Sequence, residues 1–169
     1  MFSRNRLLSV LSGALLAAHP AAAQEAVTPA PNAEALFHHP NPSLNRNLQT
    51  AYHIMKDLLE AGHWEQAPAY LSQRYIQHNP NVASGRDTVV RFFASIGMKP
   101  KPIPARLSAP VVSVLAQGDK VVVVTVVTLP DPRAPGKTYT TSWFDMWRFV
   151  DGKADEHWDS ATLMPVARQ

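Results

Sequence analysis

An α+β fold is what this sequence predicts, with about three N-terminal helices packed on the concave face of a strongly bent, cone-shaped antiparallel sheet around a pocket. Apolar residues recur at three- and four-residue spacing as far as Ile96, which is the period of a helix with one buried face. Beyond Pro104 the chain changes to runs of β-branched residues separated by turn signals. Helices first and a meander of strands afterwards argue against an alternating parallel βαβ sheet. A sheet that buries its apolar face on those helices has to bend around them, and the bend leaves a concave cavity.

The first helix is expected from Leu44 to Ala61, after Ser43 as a cap, with Leu48, Tyr52, Met55, Leu58 and Leu59 on one stripe and Gly62 as the stop. A shorter helical piece covers Trp64 to Leu71, and Tyr75-Ile76 leads into His78-Asn79-Pro80, where the proline blocks a helix. Ser84 and Asp87 have the spacing of a capping box, and the helix they open carries Val89, Val90, Phe92, Phe93 and Ile96. A proline-rich connector, Met98 to Pro104, precedes the strands. Val111 to Leu115 and Val121 to Leu129 flank the hairpin signal Gln117-Gly118-Asp119. Tyr139 to Val150 is a long strand, Asp151-Gly152 a tight turn and Ala154 to Leu163 the returning strand.

A chain of 169 residues with 46% hydrophobic and 17% charged residues supports one core. The net charge of +3 is not gathered on one face, so a nucleic-acid partner is not expected. Residues 1–23 read as a secretory signal: Arg4 and Arg6, then the apolar run Leu7 to Ala18, then Ala21-Ala22-Ala23 as a cleavage site. The run is too short for a stable membrane anchor, so a periplasmic or secreted protein is expected. The chain has no cysteine, so its core alone must hold it together without disulfides. Residues 24–43, rich in Pro and Ala, read as an extended linker or mobile arm, and residues 44–169 as the domain. The nearly continuous apolar run Val121 to Val127 implies a sheet with two faces to cover, which predicts a homodimer.

Two separated segments resemble the signature of SnoaL-like proteins, within the nuclear transport factor two-like superfamily. The first is Tyr75-Ile76-Gln77-His78-Asn79-Pro80 with Gly85 and Phe92-Phe93. The second is Phe144-Asp145-Met146-Trp147-Arg148-Phe149, then Asp151-Gly152-Lys153 and Glu156-His157-Trp158-Asp159. The resemblance spans roughly Leu44 to Asp159 and implies a cystatin-like α+β roll. It also implies polyketide-cyclase-type chemistry: aldol condensation or isomerisation of a small carbonyl compound, with no metal and no organic cofactor. The alternative is an exported ligand-binding or dimerisation domain of the same fold without catalysis. Ala154-Asp155 and Ser160-Ala161-Thr162 depart from the apolar residues usual in the family.

Asp145 is the first candidate catalytic residue. In a strand it shares a face with Trp143, Trp147 and Phe149, and flanking indoles desolvate an acid and favour its protonated form, as proton transfer beside a carbonyl requires. The opposite reading faces Phe144 and Met146 inward and leaves Asp145 in water; the resemblance, which matches Asp145 to the cyclase acid/base, favours the first. His78 and His157 are the candidates for binding a carbonyl oxygen or shuttling a proton. Tyr75, Trp143 and Trp147 are expected as apolar walls, and the resemblance places the His78-Asn79 loop at the pocket mouth. On the last strand His157 and Asp159 share one face and Glu156 and Trp158 the other; Trp158 and Asp159 are both carried as substrate-binding candidates, since sequence does not say which face is inward. His78, His157, Asp145 and Asp159 lack diagnostic metal-ligand spacing, so no metal site is expected.

Overall fold

The computed structural model describes residues 24–164, and the expected export signal, Met1 to Ala23, lies outside them. Helix α1 (Pro42–His53) starts two residues earlier than its stripe suggests, because Asn41 rather than Ser43 is the cap: its Oδ1 accepts from the backbone N–H of Ser43 and Leu44. The helix continues directly into π-helical turns over Ile54–Glu60. After a 3-10 turn at Trp64–Gln66 come α2 (Ala67–Tyr70), strand β1 (Leu71–Gln77), α3 (Arg86–Ser95), and the strands β2 (Val111–Gln117), β3 (Lys120–Pro130), β4 (Thr138–Val150) and β5 (Lys153–Asp159). Helix α3 is capped by Gly85 at φ 103° without a side-chain bond; Ser84 Oγ instead accepts from Gln77 N–H, so the capping-box reading is corrected.

The five strands form one sheet in the order β1-β5-β4-β3-β2. Its antiparallel part follows expectation, but β1 runs parallel to β5, so the sheet is mixed rather than wholly antiparallel. Leu71–Gln77 reads poorly as a strand because its register is interrupted between Leu71 and Ile76 and its partner lies some eighty residues on. The turn into β5 uses Asp151 (φ 50°) and Gly152 (φ 78°), two successive left-handed residues of the kind a two-residue hairpin requires. Asp155 is the extra residue of a bulge, opposite the step from Arg148 to Phe149. That explains the departure at Ala154-Asp155: Ala154 turns inward and is fully buried, while Asp155 accepts from Ser72 Oγ and Arg148 Nη2.

The helices pack on one face of the sheet, where Leu48, Ile54, Leu58, Val89, Val121, Val123, Trp147 and Phe149 are buried in one core cluster. The stretch 24–43 is not a loose linker throughout. Phe37 is fully buried and packs edge-on against Tyr52, while Ala30 N–H bonds to Val111 and Val27 N–H to Thr140, so hydrophobic burial ties the arm to the domain. Among the described residues no helix is long and apolar enough to cross a membrane.

The π-helical segment is tied to α2 by a buried carboxylate. Asp57, 3% exposed, accepts through Oδ2 from His53 Nδ1 at 2.8 Å and from the Tyr70 hydroxyl at 2.9 Å, and the His53 and Tyr70 rings stack. Burial pushes the Asp57 carboxyl upward, but the bonds from His53 and Tyr70 and the nearby Lys56 charge outweigh it and hold the group below the usual range. Burial and the same carboxylate push Tyr70 up to about 12. A carboxylate with a depressed folded pKa contributes stability that is complete above its unfolded value and is lost as pH falls through the folded one. Asp57→Asn should therefore cost about 1.5–3 kcal/mol at neutral pH. The deficit should shrink once pH falls below about 4, as read from urea midpoints across the range. A deficit independent of pH would mean that the ionised carboxylate is not what joins these elements.

Candidate functional site

Because side chains alternate along a strand, β4 sends Trp143, Asp145, Trp147 and Phe149 toward the helices and Phe144, Met146 and Arg148 outward. Burial agrees: Trp147 is 1% and Asp145 8% exposed, against 49% for Phe144. The β4–β5 register sets Trp147 opposite His157 and Asp145 opposite Asp159. On the other side of β5, Gln77 of β1 pairs with His157. Five polar side chains thus converge at one wall: Asp145, His157, Asp159, Gln77 and Asn79.

They surround a cavity of about 260 Å³ between sheet and helices. Its opposite wall is apolar: Ile54 and Leu59 from the π-helical turns, Trp64, Val89 and Phe92-Phe93. Ile54 and Leu59 are five residues apart, the hydrogen-bond spacing of a π-helix, and both reach the cavity. Phe93 lies flat on Trp64 with ring centroids 3.8 Å apart.

Hydrogen bonding at the polar wall is closely determined. Gln77 Oε1 accepts the backbone N–H of Asn79 at 3.2 Å, which identifies that amide atom as the oxygen. His157 Nδ1, 2.7 Å from the same oxygen, must then carry a proton and donate it. His157 Nε2 faces Asp145 Oδ1 at 3.1 Å. Two lone pairs cannot face each other there, so the pair holds one shared proton, as imidazolium and carboxylate or as imidazole and carboxylic acid. Asp159 accepts from Asn79 Nδ2 at 2.7 Å and from Ala161 N–H at 3.0 Å. Tyr75 is 4% exposed, and its hydroxyl oxygen accepts from Trp147 Nε1 at 3.0 Å. Burial holds the Tyr75 phenol well above its ordinary range, so it remains protonated at any physiological pH.

Of the residues singled out from the sequence, Asp145, His157, Tyr75, Asn79, Trp143, Trp147 and Asp159 all line this cavity. Two do not. His78 lies on the outer side of the sheet, where Nε2 meets Glu156 Oε1 at 2.8 Å and the ring stacks on Trp158. Trp158 also faces outward and leaves the cavity unplugged. The reason is alternation again: His78 lies between inward Gln77 and Asn79, and Trp158 between inward His157 and Asp159. Gln77 was missed as a site residue; its signal was two-residue spacing from Tyr75, unreadable while β1 was not recognised as a strand. Ligand atoms of Asp145, His157 and Asp159 lie within 4.8 Å of one another, close enough to hold a divalent ion. The hydrogen bonds just described engage both oxygens of Asp159 and both nitrogens of His157.

The profile of the SnoaL-like domain family matches residues 53–157. None of the curated proteins matches the chain. Among solved structures, a protein from Jannaschia sp. CCS1 described as a SnoaL-like polyketide cyclase superposes with a TM-score of 0.51 at 18% identity, covering 73% of this chain and 91% of that one. An NTF2-like protein of Burkholderia pseudomallei K96243 gives 0.49 at 18% identity over 68% of this chain and 88% of that one. A cystatin-like fold protein of Xanthomonas campestris gives 0.48 at 18% identity over 67% and 88%. With the family signature covering both the β1 loop and the β4–β5 hairpin that build the cavity, the chain belongs to the SnoaL-like domain family.

Proposed function

We propose that this protein moves a proton on carbon next to the carbonyl group of a small, largely apolar compound, by a cofactor-independent reaction of the aldol or isomerase type. The observation that carries this reading is the Asp145 carboxyl, 8% exposed, bonded to His157 at 3.1 Å and facing an apolar cavity. A roughly 150 Å³ cavity suffices for benzene, so about 260 Å³ accommodates a compound of one or two rings. In the carboxylate form Asp145 takes the proton from the α-carbon, and the electron pair of that C–H bond passes into the enolate. The enolate either attacks a second carbonyl carbon, the alkoxide formed then taking the proton back from Asp145, or, where a C=C bond is conjugated with it, takes that proton back from Asp145 at the far carbon of the dienolate. His157, fixed by Gln77, orients the carboxyl and stabilises its charge.

The non-catalytic alternative is favoured by a pocket filled by Trp158 or by an acid open to water; an outward Trp158 and a buried Asp145 support the enzyme instead. The polyketide cyclase naming of the Jannaschia relative is consistent with carbonyl chemistry of this class. The outer sheet face exposes Leu115 and Phe144 beside Val122, Met146 and Trp158, and we propose that a second copy of this chain covers it. We also propose that the protein is exported, a reading supported by Arg4 and Arg6, the short apolar run after them and Ala21-Ala22-Ala23.

Asp145→Asn should fold normally, because its Nδ2–H can donate to His157 Nε2 in place of the shared proton. Exchange of α-hydrogens of a bound cyclic ketone with D2O should then fall by about 10²–10⁴-fold; exchange as fast as in the unaltered protein removes Asp145 from the mechanism. Light scattering at micromolar concentration should give twice the chain mass, and Phe144→Glu should shift it to the monomer; a monomer throughout refutes the covered face. Protein recovered from a secreting host should begin near Gln24, whereas an intact Met1 in a soluble cytoplasmic fraction would refute export.

A further inference from the structure

We propose that the Tyr75 hydroxyl is the group that receives the substrate's carbonyl oxygen and holds the negative charge as the enolate forms. This rests on the proton-transfer reading and names the missing half of it. A base alone does not make an enolate in an apolar cavity; a donor must meet the oxygen where charge develops. The sequence nominated His78 or His157 for that task, and the geometry leaves neither available. His78 is outside the cavity, while His157 donates from Nδ1 to Gln77 and spends Nε2 on Asp145.

Tyr75 is differently placed. Its oxygen accepts from Trp147 Nε1, so its own hydrogen must go elsewhere, and among the described residues no acceptor is bonded to it. The residue lines the cavity and its ring lies nearly parallel to that of His157, 15° apart. A buried hydroxyl hydrogen without a protein acceptor carries a penalty that an acceptor in the cavity removes. The bond from Trp147 also polarises the O–H and strengthens it as a donor. Gln77 Nε2 and Trp143 Nε1 are further cavity donors without a protein partner among the described residues, but both residues are partly exposed, so water can satisfy them. The buried phenol stays protonated, which keeps it a donor across the working range.

The probe is 1-tetralone, a two-ring ketone whose oxygen can only accept. Its bound carbonyl stretch should lie at lower wavenumber than in an apolar solvent. In Tyr75→Phe the ketone should bind roughly three- to tenfold more weakly and the shift should be lost, while Asp145→Asn should lose α-hydrogen exchange and keep the shift. Because Tyr75→Phe also removes the partner of Trp147 Nε1, circular dichroism must show a native fold. If it does not, biosynthetic replacement of the four tyrosines by 3-fluorotyrosine, of which Tyr75 alone lines the cavity, should enlarge the shift by making the phenol a stronger donor. A shift retained in Tyr75→Phe, lost instead in Gln77→Leu, or unmoved by fluorination overturns the assignment. A shift that depends on Tyr75 in a protein that exchanges no α-hydrogen would refute the proton-transfer reading and leave the carbonyl seat standing. Failure of the ketone to bind the unaltered protein would refute both.

Discussion

The pairing of β4 with β5 decides what the cavity contains. Both strands are fixed to each other by a tight turn at Asp151-Gly152, and the single extra residue Asp155 resets the alternation just after it. From there on His157 lies against Trp147 and Asp159 against Asp145, all toward the helices. A slip of one residue would turn Glu156 and Trp158 inward and leave the acid without its histidine. The bulge residue itself is held in place by Arg148 and Ser72, so the ion pairs on the outer face keep the register on which the inner face depends. Asp155 is itself buried, so losing Arg148 or Ser72 would leave its carboxylate short of partners.

The third strand at the site, β1, supplies what the hairpin lacks. Tyr75 brings a hydroxyl between Trp147 and the cavity, Gln77 determines the tautomer of His157, and Asn79 satisfies Asp159. Among the described residues, the polar groups at the wall have protein partners apart from Asp145 Oδ2, which faces the cavity as the base, the Tyr75 hydrogen and the partly exposed donors beside it. Buried networks of this kind are costly when incomplete, which is why one vacant donor beside an apolar space is informative.

The helical layer shapes the apolar side of the cavity. The π-helical turns bring Ile54 and Leu59 to the same side, and the Trp64–Phe93 stack joins the segment after them to α3. The Asp57 cluster and the buried Phe37 hold this layer from behind, so the cavity wall is supported on both sides.

Taken by itself, the sequence determined the class of fold, the helical stripe of Leu48 to Leu59, the β2–β3 and β4–β5 hairpins and the identity of Asp145 and His157 as residues to watch. These are local properties: periodicity, turn chemistry and motif order along the chain. It could not determine that Leu71–Gln77 is a strand, because that segment has an interrupted register and becomes ordered by pairing with β5 across some eighty residues. Without β1 the sequence offers Tyr75 as a wall but gives no part to its hydroxyl, passes over Gln77, and sets His78 at the pocket although its position between Gln77 and Asn79 turns it outward. Nor could sequence choose the inward face of β5, since either His157 and Asp159 or Glu156 and Trp158 satisfy the same alternation. The tertiary structure chose through the register with β4, a cross-strand quantity that no window of the chain contains.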